Sequence, residues 1–223
     1  MELRDVWTSV VQAHDIDRHM ADNGQAPANA HLLADMVGCL PLAPSDRILM
    51  LGAGTGQFLD TAPAGTFSTG HWVFTDLNPA FLARLVERLG THAACRAEVA
   101  VDDAECPTVA PPLVAVLAVL LLEHIAWRRA IAAWCALGPA WIGCIIQRND
   151  ADPRMLSPGR PLTPSMERFR ELAHPQLVAE ADLTAALDQH GYKPVWRGER
   201  VVPDAKTMVG ALFRLTRETG PAA

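Results

Sequence analysis

The stretch Ile48-Leu49-Met50-Leu51-Gly52-Ala53-Gly54-Thr55-Gly56 constrains this chain more than any other. Four apolar residues run into three alternating glycines, and Gln57-Phe58-Leu59 then opens a helix. Glycine at positions 52, 54 and 56 removes the Cβ atoms that would hold a ligand off the backbone, and it allows the dihedrals of a tight strand-to-helix turn. Such a turn aims unpaired backbone N–H groups at whatever lies above the sheet. The next apolar segment, His71-Trp72-Val73-Phe74-Thr75-Asp76, ends in a carboxylate twenty residues past Gly56. A βαβ nucleotide site carries its acceptor for paired ribose hydroxyls at that place.

The same alternation of strand and helix continues. Strands are predicted over 48–51, 72–75, 97–101, 113–119 and 141–146, with helices over about 57–60, 79–89 and 123–137. Leu113 to Val119 is unbroken hydrophobic sequence, as expected of a parallel strand covered on both faces. Pro79 suits the first helical position, and Gly90 and Gly138-Pro139 close helices. Five repeats of strand and helix predict a doubly wound, mostly parallel sheet.

From 149 to 164 the chain is rich in Pro, Gly and Asp, a loop too long for a simple connection. Helices are predicted over 165–172 and 179–189, then two strand-like runs, 192–202 and 208–216, separated by Pro203 and Asp204. Ahead of the sheet, residues 3–40 read as two helices, with Val6, Val10 and Val11, then Leu32, Leu33, Met36 and Val37, at helical spacing. The breaker cluster Asn23-Gly24-Gln25-Ala26-Pro27 separates them.

At 223 residues the chain suits one α/β domain with a decorated edge. A net charge of −6 argues against a nucleic-acid partner, since phosphate backbones are held by clustered Lys and Arg. The longest apolar run, Leu113 to Leu122, falls short of the roughly 20 residues a membrane span needs, so no membrane association is expected. Met1-Glu2-Leu3-Arg4-Asp5 mixes charge signs and shows no secretory signal, so a cytoplasmic location is expected. The five cysteines form no CxxC pair and lie in apolar contexts, which predicts reduced thiols buried in the core and neither disulfides nor zinc. No histidine or cysteine spacing builds a metal site.

Five motifs stand in one order: Leu51-Gly52-Ala53-Gly54-Thr55-Gly56, the acidic strand end at Asp76, the turn Asp103-Ala104-Glu105, Leu122-Glu123-His124 after the fourth strand, and Gly191-Tyr192 before the last hairpin. With them, residues 47–216 resemble the small-molecule branch of the class I S-adenosylmethionine-dependent methyltransferases. The resemblance implies a Rossmann-like fold: a doubly wound, mostly parallel seven-stranded sheet, with an antiparallel last strand and an N-terminal helical cover. It divides the chain into a cover segment, 1–45, and a cofactor-binding core, 46–223, with a loop and helix insertion at about 149–178.

By the same resemblance the cofactor is S-adenosyl-L-methionine. Gly52, Ala53, Gly54 and Gly56 would approach its methionine and ribose, and Asp76, with Leu77 beside it, would accept both ribose hydroxyls. Asp103 would face the adenine amino group, with Ala104 alongside; Asp102 is the alternative, since either carboxylate could point inward. The family usually carries Asp or Glu where Met50 stands, an acid that helps hold the methionine amino group. Here another residue binds the ammonium, or the cofactor is held less tightly, or the site has been repurposed. The end of strand four lacks the polar residues of amide and nucleobase amino methylation, and no Asn-Pro-Pro-Tyr-like motif is present.

The implied function is methyl transfer to O, N or C of a small metabolite by in-line displacement, with alignment as the main contribution of the protein. His124 is the first candidate for a base, because an imidazole titrating near neutrality suits a phenol, hydroxyl or acidic carbon. Glu123 is expected to cap or orient that helix start. Trp127, Tyr192 and His19 are candidate substrate contacts. The expected partner is a small-molecule substrate, and a homodimer is compatible with the sequence. Two further readings compete: a methyltransferase-like enzyme that uses the cofactor for a non-methylating reaction, and a catalytically silent subunit that binds a protein partner through its N-terminal helices. A nicotinamide-dependent dehydrogenase is disfavoured, since Gln57-Phe58-Leu59 replaces the later helix glycine and a hairpin closes the sheet.

Overall fold

A computed structural model describes residues 3–92, 94–149 and 162–216. The expected seven-stranded sheet forms, in the order β3-β2-β1-β4-β5-β7-β6. Its strands are β1 (Arg47–Leu51), β2 (His71–Asp76), β3 (Arg96–Val101), β4 (Ala115–Val119), β5 (Trp141–Asn149), β6 (Tyr192–Val202) and β7 (Lys206–Leu215). The first five are parallel, and β7 enters antiparallel between β5 and β6. The edge strand β6 carries Pro194 at a register shift and alternating Arg197 and Glu199, devices that keep an open edge from pairing further.

The central strands send alternate side chains to opposite faces, as a period of two requires. Ile48, Met50, Trp72, Phe74, Ala115 and Leu117 enter one core; Leu49, Leu51, Val73, Val116 and Ala118 enter the other. Helix α3 (Gln25–Gly38) and the short α4 (Gln57–Thr61) supply the first core, and α6 (Trp127–Ala136) with α8 (Glu180–Asp188) the second. In the first core the rings of Phe58, Phe67, Trp72 and Phe74 contact one another in a closed cluster, with centroids 4.9 to 5.9 Å apart; Phe74 stacks on Phe58 and Trp72, and Phe67 meets its neighbours tilted or edge-on. Burial of a ring that size contributes about 2–3 kcal/mol.

Helix α5 (Pro79–Leu89) begins as the sequence predicts: the Asn78 side chain accepts from the N–H groups of Ala80 and Phe81, and Pro79 fills the first turn. Between β3 and β4 the chain is loop among the described residues, so the five strand-helix repeats reduce to four. The predicted helix over 123–137 is also broken. A 3₁₀ turn covers Leu122–His124, Ile125 is extended at φ −135° and ψ 171°, and only then does α6 begin.

The N-terminal segment holds three helices rather than two: α1 (Leu3–Ser9), α2 (Ala13–Asp22) and α3. The cluster Asn23 to Pro27 does not separate helices across its length. Gly24, at φ +67°, turns the chain, and α3 starts at Gln25. Pro27 falls in the first turn, where its missing N–H has no intrahelical acceptor to lose. With α7 (Pro164–Leu172), α1 and α2 bury Val6, Val11, Met166 and Phe169 in a third cluster that also takes Phe81 from α5. Most of the predicted loop at 149–164 lies outside the described residues.

The cysteine expectation is corrected. Cys144 is buried, but Cys39 and Cys106 are exposed and Cys95 and Cys135 are half-buried. Cys39 falls at the end of α3 and Cys106 in the β3–β4 loop, past the elements whose apolar pattern suggested burial.

Candidate functional site

Strand order reverses between β1 and β4, and open α/β sheets bind ligands outside the carboxyl ends of strands at such a point. A cleft enclosing about 1530 Å³, its open mouth included, lies there. Its floor is the glycine turn, Asp76 and Leu77, the Asp102–Glu105 turn and Leu120–Leu121; α1, α2, α3 and α7 close over it.

The glycines divide their work. Gly52, Gly54 and Gly56 have φ of +59°, +57° and +74°. A Cβ on Gly52 would stand 2.7 Å from Leu121 Cδ1, and one on Gly56 3.0 Å from Leu85 Cγ. A Cβ on Gly54 would meet nothing within 4 Å. Two of the glycines therefore serve close packing, and Gly54 gives the cleft its open stretch of backbone.

Asp76 sits at the end of β2, with Oδ2 accepting from Gly54 N–H at 2.9 Å and Oδ1 from Asn78 N–H at 2.8 Å. Burial raises its pKa above the ordinary carboxylate value, against the opposing pull of these backbone N–H groups. Of the two adjacent acids, Asp102 is the buried scaffold, accepting from the N–H groups of Asp103 and Thr108. Asp103 is the more accessible: Oδ1 accepts from Glu105 N–H at 2.9 Å, and Oδ2 pairs with Arg4 of α1 at 3.0 Å. Ala104 lines the cleft beside it, and its carbonyl accepts from Trp134 Nε1–H at 2.6 Å.

His124 lines the cleft, its ring 4.8 Å from that of Trp7 and 5.9 Å from that of Phe169. Its Nδ1 is shut off from solvent without a hydrogen-bond partner. Burial pushes its pKa down to about 3, which corrects the expectation of an imidazole titrating near neutrality. Glu123 points the other way. Its Oε1 accepts from Gln147 N–H at 2.7 Å, its Oε2 is buried without a partner, and burial pushes its carboxyl up to about 7. It ties the 3₁₀ turn to β5 and does not line the cleft.

Two candidate substrate contacts lie elsewhere. The extended Ile125 separates His124 from Trp127, and Trp127 turns into the second core with Arg128 stacked over its ring. On an unbroken helix, residues three apart would share a face. Tyr192 is buried at the opposite, amino edge of the sheet, where its hydroxyl donates to Pro139 O at 2.7 Å. His19 does line the cleft, within 3.1 Å of Asn23 Nδ2. Burial, and then the positive charge of Lys206, lowers its pKa to about 4.

Several residues of the cleft and of the cover that closes it escaped the sequence reading. Asp17 on α2 accepts from Arg88 at 2.8 Å and from Gln57 Nε2 at 2.9 Å, and also from the Thr55 hydroxyl, which fastens the cover to the glycine turn. Trp7 reaches the cleft from α1, and its carbonyl accepts from Asn78 Nδ2 at 2.8 Å. Gln25 and Asn29 project from the buried face of α3. Their signal was legible: two amides one helical turn apart among Ala26, Ala30 and Leu33 break an apolar stripe. Among the described residues no group of three or more His, Cys, Asp or Glu could hold a metal ion, and no helix is long and apolar enough to cross a membrane.

No protein-family model matches the chain, and no curated protein matches it in sequence. Solved structures do match in fold. Magnesium protoporphyrin IX methyltransferase from Synechocystis PCC 6803, with bound SAM, is 13% identical with a TM-score of 0.62, over 94% of this chain and 90% of that one. Geranyl diphosphate C-methyltransferase from Streptomyces coelicolor A3(2), in complex with Mg2+, geranyl diphosphate and S-adenosyl-L-homocysteine, is 11% identical with a TM-score of 0.61, over 84% and 78%. The 4+2 cyclase SpnF is 14% identical with a TM-score of 0.59, over 82% and 80%. This chain thus has the Rossmann-like fold of the class I methyltransferases.

Proposed function

We propose that this protein binds S-adenosylmethionine in the carboxyl-edge cleft and transfers its methyl group to a small, largely apolar metabolite. The observation that carries the reading is the convergence of Gly54, Asp76 and the Asp102–Ala104 turn at the point where strand order reverses. These residues fit the cofactor. The backbone at Gly54 is open to close approach, and the Asp76 carboxylate, held by backbone N–H groups that include those of Gly54 and Asn78, has acceptor capacity for ribose hydroxyls. Asp103 offers an acceptor to an exocyclic amine beside the apolar Ala104.

When bound, the cofactor supplies a methyl group already activated on a sulfonium. The chain's own residues align the acceptor and keep water out. Trp7, Ile16, Phe81, Met166 and Phe169 wall the cleft with apolar surface, which suits an acceptor with an apolar body. A histidine with a pKa near 3 is neutral at physiological pH and a weak base, so we assign His124 to orienting the acceptor through a hydrogen bond. Glu123 holds the end of β5 through Gln147 N–H.

Calorimetric titration with S-adenosylmethionine and S-adenosylhomocysteine, with NAD as control, tests the reading. Micromolar binding of both compounds, lost in Asp76→Ala, is expected. Binding of neither would overturn it and favour the partner-binding subunit. The likeness to the cyclase SpnF favours one second reading, in which the same pocket serves a reaction without methyl transfer. The two part on whether S-adenosylhomocysteine accumulates during turnover.

A further inference from the structure

The cleft has chemically different ends. Asp76 and Asp103 stand on the β2–β3 side, ready to accept from hydroxyls and amines. On the β5 side the amides of Gln25, Asn29 and Gln147 line the cleft: Gln25 Nε2 donates to Gln147 Oε1 at 3.0 Å, and Gln147 Nε2 donates behind the lining to Asn149 Oδ1 at 2.7 Å. Helix α3 runs antiparallel to β5, since Met36 lies against the middle of the strand at Gly143 while Gln25 reaches Gln147 beyond it. That direction carries Asn29 toward the carboxyl edge. Asn29 is 3% exposed and lines the cleft, yet neither Oδ1 nor Nδ2 has a hydrogen-bond partner.

Leaving a buried amide unpaired is costly, and native proteins do so rarely. An orphan facing a cleft is explained when a ligand completes it. One asparagine offers an acceptor and two donors, which together match a zwitterionic amino acid: the carbonyl takes an ammonium N–H and the amide N–H meets a carboxylate. Met50, buried and also lining the cleft, has no charged or strongly hydrogen-bonding side-chain group to offer. We infer that Asn29, braced beside the Gln25–Gln147 pair, binds the amino-acid end of the cofactor, in the place that Met50 leaves without a polar partner. This rests on the cofactor reading above and assigns a specific residue of the cover segment to cofactor recognition.

The test compares S-adenosylhomocysteine with 5′-methylthioadenosine, which shares the nucleoside and thioether but lacks the amino-acid end. Wild-type protein, Asn29→Ala and Asp76→Ala are titrated with each compound, and unliganded melting temperatures are recorded. Asn29→Ala is expected to weaken S-adenosylhomocysteine about ten-fold or more while leaving methylthioadenosine within about two-fold, because only the first can use the lost hydrogen bonds. Its unliganded melting temperature should hold or rise, since an unpaired polar group has been removed; a structural role predicts a fall. Asn29→Leu, close in shape and apolar, repeats the comparison if the alanine variant folds poorly. Equal loss of both compounds, or loss of neither, would overturn the inference while Asp76→Ala still abolishes both and the cofactor reading stands. If wild-type protein binds neither compound, both readings fall.

Discussion

Replacing Glu123 with glutamine should free the fold from a penalty that grows with pH. Burial raises this carboxyl from an ordinary value of 4.5 to about 7 in the folded chain, so between those values the folded state holds a proton that the unfolded state has released. Stability from this group is therefore full below about pH 4.5 and lost as pH rises to about 7. At about 1.4 kcal/mol per pH unit, the loss comes to roughly 3 kcal/mol. Glutamine keeps an Oε1 acceptor for Gln147 N–H but cannot ionise. His124 works in the opposite sense. Burial lowers it from 6.5 to about 3, so its contribution falls as the solution is acidified through that range. In wild-type protein the two slopes oppose one another between about pH 4.5 and 6.5, and the variant should lose the Glu123 slope while keeping those of the other shifted groups, His124 and His19 among them. Urea unfolding at half-unit steps from pH 4.5 to 8 measures this. The stability difference, variant minus wild type, should climb by about 3 kcal/mol across the series. A difference that stays constant with pH would refute the argument, because a carboxyl that titrates alike in both states cannot generate the slope.

Other outcomes follow from the packing. Gly54→Ala should cost only about 1–2 kcal/mol, the price of a left-handed residue with open space around its Cβ; calorimetry should show S-adenosylhomocysteine binding reduced about ten-fold or more. Gly52→Ala, with its Cβ driven against Leu121, should lower the thermal midpoint further than Gly54→Ala does. Arg88→Ala removes charged hydrogen bonds to Asp17 and Asp60, and should cost about 2 kcal/mol and speed proteolysis within α2, seen by timed digestion. Phe74→Ala opens the aromatic stack and should cost about 3–5 kcal/mol in chemical denaturation.

The sheet was readable because its signals are local. Period-two burial, glycine at positive φ and the Asn78-Pro79 cap each act within a few residues. What failed were the places where tertiary contacts override local pattern. The 123–137 segment looks helical throughout, yet the buried tie from Glu123 to β5 and the bond from Ala126 N–H to Glu105 Oε1 go with a break that sends His124 and Trp127 to different surroundings. The role of Tyr192 depended on which edge of the sheet it reaches, and sequence order does not say that. Pro27 looked like a breaker because a proline's effect depends on its distance from the helix start. In the cleft, the glycine turn and the acidic strand end announce themselves by spacing. Asn29 and Trp7, and Asp17 in the cover beside it, come from helices whose docking only the folded chain reveals.

The position of β7 sets an order of events in folding. That strand is the last in sequence among the described elements, yet it sits inside the sheet between β5 and β6. Until Lys206–Leu215 has left the ribosome, the edge of Trp141–Asn149 that faces away from β4 lacks its native partner, and its mostly buried side chains border an open flank. Closure then requires a strand to thread into place beside one made about sixty residues earlier, a non-local pairing of the kind that slows folding. That unpaired edge is a template for intermolecular strand pairing, and a chain stopped short of β7 should show it as a lower soluble yield than the full chain.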